Sequence, residues 1–406
     1  MRKALLLVLL AVLCLSLISC TNTTSGKLEK AGKINVLALR GTYRQMGEQY
    51  GSMLKDELNA NYNGIVKGLH GLDGLSLKDM QDFGDSMYAN YPQKYKEIVQ
   101  GLAETSGLGL QKAKVLNAQE IYISAALVDM FRKKNGCTGM ATWGDYSAGP
   151  LVFGRNYDLG PVNHQYATMV VYNPTDGSVP VASWTFAGCI YVTSGMNSSG
   201  VFLELNNGSA SDPSDFTASR PWAPIELFAF LEQSTSLGQL TSYFETTRPD
   251  LSYIVQGADR HSAVSFEWAT SGVKVRQPDK NGLLVATNAF FDPSWGQTPE
   301  DGVDFVITRR TNLFALAEQN KGKFSPEVMM KVISTPLEEG GAFRAPNLTS
   351  YEIVAQPESL TMWVRVPEYQ DWVKIDLKRY FVNLPEIDIG QFNECSEPGF
   401  RRRIEN

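Results

Sequence analysis

Histidine is scarce in this 406-residue chain: there are three, His70, His164 and His261, far apart in sequence. No HExxH, CxxC or other close metal-ligand spacing occurs, which argues against a zinc enzyme. There is no GxSxG elbow. Ser52-Met53-Leu54-Lys55 fits SxxK, but no KTG follows it and the stretch reads as part of an amphipathic helix. Basic excess is lacking as well. Lys and Arg number 37 against 43 Asp and Glu, so no nucleic-acid footprint exists. No internal repeat is visible. The remainder is ordinary for a globular chain, 43 % hydrophobic and 20 % charged, which excludes disorder and collagen-like repeats. The length sets a prior of two to three domains, although one layered α/β body can absorb it.

The N-terminus is a processing signal rather than part of a fold. Arg2 and Lys3 precede an apolar run, 4–18, too short to span a bilayer, since a spanning helix needs roughly 20 residues. Leu17-Ile18-Ser19-Cys20 resembles a bacterial or archaeal lipoprotein box, in which the peptidase cuts before the cysteine and the sulfur carries lipid. Residues 1–19 are thus expected to be a signal peptide, Cys20 a lipidation site, and 20–33 a polar tether. The implied location is exported, cell-surface or periplasm-facing, with membrane contact only through the Cys20 lipid. Losing Arg2 and Lys3 takes the formal charge from −6 to −8. Cys14 leaves with the signal, so Cys137, Cys189 and Cys395 remain, an odd number in an exported protein.

Along the chain, residues 34–136 read as a short strand, 34–39, followed by amphipathic helices over 43–69, 76–105 and 110–131. Ser76 is the expected N-cap of the second, with Asp79 three residues on. After Gly136 the texture turns to strands, at 150–157, 167–172, 181–188 and 200–206. A helical stretch, 223–247, precedes strands at 251–256, 263–270, 273–277 and 282–288. Helices at 305–319 and 325–333 and strands at 351–356, 361–366 and 372–376 close the chain. This is the pattern of two sheets covered by helices, an α+β class, rather than a doubly wound parallel sheet.

At the helix-to-strand switch stands Asn135-Gly136-Cys137-Thr138-Gly139, followed by Gly154-Arg155-Asn156-Tyr157-Asp158. Further on come Gly195-Met196-Asn197-Ser198-Ser199-Gly200, Leu205-Asn206-Asn207, Ala286-Thr287-Asn288-Ala289-Phe290 and Thr308-Arg309-Arg310. Near the start, Arg40-Gly41-Thr42-Tyr43-Arg44-Gln45-Met46-Gly47 runs on to Gly51. In this order the set resembles the choloylglycine hydrolase family, whose relatives include conjugated bile acid hydrolases, penicillin V acylases and acyl-coenzyme A:6-aminopenicillanic acid acyltransferase. The resemblance spans about 34–381. It implies an N-terminal-nucleophile αββα sandwich, with two antiparallel sheets between helical layers, preceded by a helical pro-segment. The 117 residues from 20 to 136 ahead of the cysteine favour the acyltransferase-like branch, in which the precursor cuts itself, here between Gly136 and Cys137, and both pieces stay associated.

The chemistry has a physical reason. A thiolate is the nucleophile of a cysteine hydrolase, and a free cysteine has a pKa near 8.5, so it needs a base. A chain N-terminus titrates at about 7.7–8.0 and supplies one. While Cys137 is bonded to Gly136 its nitrogen is an amide and cannot serve. By resemblance, Arg155 favours the thiolate, Asp158 orients the new amine, and Asn206 and Asn288 donate to the amine and the oxyanion. Arg309 stabilises charge at the edge of the site. Asn207 competes with Asn206 and Arg310 with Arg309, the latter pair weighed by the register to Leu313. No metal or organic cofactor is implied. The expected partner is a small-molecule N-acyl amide, attacked through a Cys137 acyl-enzyme. Acyl transfer to an amine, a catalytically inactive surface binding module, and a histidine base from His164 or His261 are the alternatives. Cys189 and Cys395 are expected to be buried or bonded to one another. Trp143, Tyr146, Tyr157, Trp184, Phe290, Phe291 and Trp295 are read as packing or acyl-pocket residues.

Overall fold

The computed structural model describes residues 26–69, 76–131, 136–159, 164–209, 211–212, 219–301, 305–346 and 348–382. The signal peptide, Cys14, Cys20, His70, Asn135 and Cys395 lie outside the described residues. In chain order the strands are β1 (Lys27–Ala31), β2 (Ile34–Gly41), β3 (Thr138–Thr142), β4 (Val152–Tyr157), β5 (Ala167–Pro174), β6 (Val181–Phe186), β7 (Ser194–Asn197), β8 (Phe202–Asn207), β9 (Tyr253–Ala258), β10 (Ala263–Ala269), β11 (Gly272–Arg276), β12 (Leu283–Ala286), β13 (Tyr351–Gln356), β14 (Thr361–Val366) and β15 (Gln370–Asp376). The helices are α1 (Tyr43–Met53), α2 (Lys55–Leu69), α3 (Leu77–Ala89), α4 (Gln93–Ser106), α5 (Leu110–Phe131), α6 (Ala223–Gln233), α7 (Leu237–Thr246), α8 (Val306–Gln319) and α9 (Pro326–Ile333).

Two sheets result. One has nine strands in the order β1-β2-β5-β6-β7-β8-β9-β10-β11, the other six in the order β12-β3-β4-β13-β14-β15. They face one another across an aromatic core: Phe153 of β4 lies 4.8 Å from Phe202 of β8, and Trp184 of β6 meets Tyr351 of β13 edge-on at 5.8 Å. Helices α1, α6 and α7 pack on the larger sheet, and α8 and α9 on the smaller. The architecture is a four-layer αββα sandwich. It departs from the expected pair of antiparallel sheets in one respect, because β2 runs parallel to β5, with Asn35 opposite Thr168.

That parallel pair binds the segment ahead of Gly136 into the body. Ile34, Val36, Leu37 and Leu39 are fully buried, so β2 is an interior strand of the nine-stranded sheet. The expected tether at 20–33 is corrected over its last residues. Lys27–Ala31 forms β1, a charged, exposed edge strand antiparallel to β2, and lysines and glutamates are what keep such an edge from pairing further.

The long helical stretches are also divided. The stretch read as 43–69 breaks at Leu54, 76–105 breaks ahead of Pro92, which cannot donate within a helix, and 223–247 breaks at Ser234. Ser76 does cap α3, accepting from the backbone N–H of Asp79 at 3.0 Å. Thr42 and Gln45 form a reciprocal capping box at the start of α1. Within α1, Gly47 and Gly51 let the helix cross α4 in backbone contact. A Cβ on Gly47 would fall 2.2 Å from the Ile98 carbonyl oxygen.

Candidate active site

Cys137 immediately precedes β3, and the antiparallel ladders around it assemble the site. Gly139 of β3 faces Arg155 of β4 on one side and Ala286 of β12 on the other. Asp158 just past β4 and Asn288 just past β12 are thereby brought alongside Gly136 and Cys137. Along β4 the side chains alternate. Arg155 and Tyr157 enter the space between the sheets, whereas Asn156 turns outward and donates to the Ile333 carbonyl of α9 at 2.8 Å.

The Gly136–Cys137 peptide, singled out in the sequence, is held by one buried cation. Arg309 Nη1 donates to the carbonyl oxygen of Gly136 at 2.8 Å, to that of Cys137 at 2.6 Å and to Thr138 Oγ1 at 2.6 Å. Its Nη2 donates to Asn288 Oδ1 at 3.2 Å, and Asn288 Nδ2 donates to the Asn207 carbonyl at 3.0 Å. Asn288 therefore acts here on Arg309 and on the end of β8, while the contact with the Gly136 oxygen belongs to Arg309. A side chain at 136 would collide with this guanidinium, since a Cβ there would lie 2.6 Å from Nη2. Arg309, Leu313 and Ala317 form one buried stripe of α8. Arg310 points elsewhere, paired with Asp279 and set over Phe291 at 4.3 Å.

Arg155 is wholly buried. Its Nη1 donates to the Thr193 carbonyl at 2.5 Å and lies 3.2 Å from Glu204 Oε2, and its Nη2 donates to the Leu205 carbonyl at 2.6 Å. The guanidinium sits 4.7 Å from the Tyr157 ring centre. Asn206, also fully buried, donates to Glu204 Oε1 at 3.0 Å, while Asn207 folds its carbonyl onto the Ser209 N–H at 2.8 Å. Gln256 lies directly opposite Glu204 on β9, and with its amide turned so that the nitrogen faces inward it donates to Glu204 Oε1 at 2.7 Å and to the Gly139 carbonyl at 3.2 Å. Glu204 and Gln256 were not singled out from sequence. The available signal was the repeat of polar side chains at 204 and 206, which share one face of β8.

Burial governs the electrostatics. The Cys137 thiol is pushed up to about 12 by burial, opposed by the Arg155 charge and by the Asp158 backbone N–H at the sulfur, and reinforced by Asp158 and Glu204. Burial also raises the Asp158 carboxyl to about 6, against the pull of Arg309, Thr349, Arg344 and Arg155. Thr349 donates to Asp158 Oδ1 at 2.7 Å. Glu204 rises to about 7 by burial, against Arg155 and Asn206. Asp158 Oδ2 and Asn206 Oδ1 are buried acceptors without a hydrogen-bond donor among the described residues. Among the described residues, the charged groups acting on the sulfur are Arg155, Asp158 and Glu204. His261 is exposed on the turn between β9 and β10, and His164 lies in a single helical turn leading into β5.

The remaining candidates are structural. Cys189 is a buried free thiol whose sulfur lies 3.6 Å from the Leu116 carbonyl. Tyr146 belongs to the core of the smaller sheet, and Phe290 stacks on Trp295 at 5.0 Å. Among the described residues no group of His, Cys, Asp and Glu is arranged to hold a metal ion, and no helix is long and apolar enough to cross a membrane.

No protein-family model and no curated protein matches the chain. Among the solved structures similar to it at low identity are the following three. One is a Caenorhabditis elegans ortholog of N-acylethanolamine-hydrolyzing acid amidase, 20 % identical with a TM-score of 0.39, covering 54 % of this chain and 93 % of its own. A variant of the conjugated bile acid hydrolase from Clostridium perfringens is 13 % identical with a TM-score of 0.44, covering 60 % and 93 %. Penicillin V acylase from Agrobacterium tumefaciens is 12 % identical with a TM-score of 0.43, covering 60 % and 87 %.

Proposed function

We propose that this chain is a cysteine amidohydrolase that cuts its own Gly136–Cys137 bond and then cleaves linear N-acyl amides through a Cys137 acyl-enzyme. The observation that carries the reading is the Arg309 guanidinium donating at 2.8 Å to the Gly136 carbonyl oxygen, one residue ahead of a thiol. Attack of the Cys137 sulfur on that carbonyl carbon loads negative charge onto this oxygen, where a buried cationic donor is worth most. The C–N bond then breaks and the thiol proton passes to the departing nitrogen, giving a thioester and a free α-amine. Water adds to the thioester and releases Gly136 as a carboxylate and Cys137 as a chain start.

The new α-amine supplies the missing base. We assign Asp158 Oδ2 and Asn206 Oδ1, both short of donors in the uncut chain, as acceptors for its added N–H groups; Asn206, expected as a donor, has its Nδ2 on Glu204 instead. In turnover the amine takes the thiol proton, the sulfur attacks the substrate carbonyl, and the α-ammonium returns the proton to the leaving amine. Arg155 offsets the thiolate charge. Water completes the cycle. An amine acceptor in place of water would make the enzyme an acyltransferase.

The test is the denatured intact mass of the purified protein beside its Cys137→Ala variant. Two fragments meeting at Gly136/Cys137, absent from the variant, support the reading; a single uncut chain in both overturns it. We also propose that the protein is exported and held at a membrane by lipid on Cys20. On that reading Cys20→Ala moves it to the soluble fraction, and retention on membranes refutes the anchor.

A further inference from the structure

The segment ahead of the scission point sends one carboxylate into the interior of the sandwich. Glu120, on α5, is fully buried and accepts at Oε1 from Tyr157 Oη and, at 3.2 Å, from Thr193 Oγ1. These two residues flank the Arg155 guanidinium. The Tyr157 ring lies beneath it at 4.7 Å, and the Thr193 carbonyl accepts from its Nη1 at 2.5 Å. Tyr157 also stacks near-parallel on Tyr351 at 4.5 Å, and the same guanidinium lies 5.9 Å from the Tyr351 ring centre. Burying a carboxylate costs its desolvation, and an apolar residue would fill a helix–sheet contact more cheaply. Its two hydroxyl partners both belong to the immediate surroundings of Arg155.

We propose that Glu120 is a positioning residue of the active site, holding Tyr157 and Thr193 so that the Arg155 guanidinium stays in place beside Cys137. The inference rests on the reading of Cys137 as the nucleophile. It makes the site composite. After scission the residue that braces Arg155 belongs to the N-terminal piece, so the C-terminal piece alone lacks part of its own machinery. Glu120 faces Arg155, Tyr157, Thr193, Tyr191, Tyr351 and Cys189. The Cys137 sulfur faces Arg155, Asp158, Glu204 and Tyr157.

The experiment uses the self-cut protein and reads Cys137 itself. Alkylation by iodoacetamide is followed across pH 5–10 on the tryptic peptide 137–155, which reports the thiolate fraction without any substrate. Glu120→Ala removes the acceptor and is expected to move the midpoint upward by about half a pH unit or more, roughly threefold less thiolate at a given pH below it. Glu120→Gln keeps a carbonyl oxygen for the two hydroxyls and restores the wild-type midpoint. Tyr157→Phe keeps the ring but loses the donor, and shifts the profile in the direction of Glu120→Ala; it carries the test if the alanine variant does not fold. Wild-type midpoints in both Glu120→Ala and Tyr157→Phe overturn the proposal. A Glu120→Gln shift as large as that of Glu120→Ala also overturns it, because charge rather than the acceptor would then be acting. A wild-type chain that is never cut fails at the earlier step and refutes the nucleophile reading instead.

Discussion

Gly136→Ala is the sharpest perturbation of the proposed self-cleavage, because it adds one methyl group and removes no chemical group. The Arg309 guanidinium lies so close over residue 136 that a Cβ would sit 2.6 Å from Nη2, 2.8 Å from Cζ and 3.1 Å from Arg344 Nη1. Contacts under 3 Å between such atoms do not persist, so the guanidinium must swing aside. In doing so it gives up the 2.8 Å bond to the Gly136 oxygen, which takes on charge when the sulfur attacks. Loss of one preorganised oxyanion donor costs about 2.7–4 kcal/mol, or about 10²–10³-fold in rate. The assay is the fraction of cut chain against time after a pulse of synthesis, read by denatured mass on protein that elutes as the wild type does. Gly149→Ala is the control, since nothing lies within 4 Å of a Cβ there. Cleavage of Gly136→Ala at the wild-type rate would refute Arg309 as the donor to the scissile carbonyl.

Two further outcomes follow from the geometry. Burial lifts the Asp158 carboxyl from 3.8 to about 6, so its protonation favours the fold: that contribution is complete below about pH 3.8 and is lost as the pH rises through 6. In the uncut Cys137→Ala chain, Asp158→Asn should therefore add stability at pH 8, on the order of 3 kcal/mol at most, and none near pH 3.5; urea melts showing a pH-independent effect would contradict this. Glu232 of α6 accepts from Tyr43 (2.9 Å), Tyr95 (2.5 Å) and Lys94 (2.5 Å), all three carried by the segment ahead of Gly136. Glu232→Ala should weaken the hold on the N-terminal piece by about 3 kcal/mol, lowering the urea concentration at which the two pieces part on size-exclusion chromatography, and an unchanged concentration would refute the clamp.

Elements that differ from their neighbours by period were legible in the sequence. β13 and β14 run over the residues expected, and the start of α5 falls at Leu110 as read. Their patterns suffice because burial on one face imposes a repeat of 2 or 3.6 on the chain itself. What was not legible depends on partners distant in sequence. The stretch 34–39 reads as a strand, but only β5, over a hundred residues on, makes it an interior parallel one. Lys27–Ala31 has the composition of a tether and becomes a strand because β2 offers it an edge. The same holds within the site. Asn206 and Asn207 are equivalent as letters, and the alternation of β8 separates them: one is wholly buried beside Glu204, while the other is half-buried and turns onto its own backbone. Arg309 and Arg310 are separated by the phase of α8, which is set by the buried Leu313 and Ala317. Glu120 could not be read at all, because its meaning comes from Tyr157 and Thr193, which follow it by 37 and 73 residues.

The proposed activation is coupled to folding by the way the site is built. Arg309 reaches the Gly136 oxygen only when α8 is docked and β12, β3 and β4 are paired, since those ladders bring 136, 155, 158 and 288 together. An unfolded chain therefore has the thiol and the peptide bond but no donor for the oxyanion, and is not cut. In the folded, uncut chain the Cys137 nitrogen is an amide, so turnover on other amides has no base beside the sulfur, whereas the proposed self-cut acts on the adjoining carbonyl already held by Arg309. On the proposed reading, scission changes that condition at one atom: the new α-amine titrates near neutrality and stands beside the sulfur it must deprotonate. On the same reading the N-terminal piece is expected to stay, because β2 is an interior strand of the larger sheet and Glu232 grips Tyr43, Lys94 and Tyr95. Retention of that piece is then a requirement of the site itself, which keeps Glu120 against Tyr157 and Thr193 after the bond that once joined them is gone.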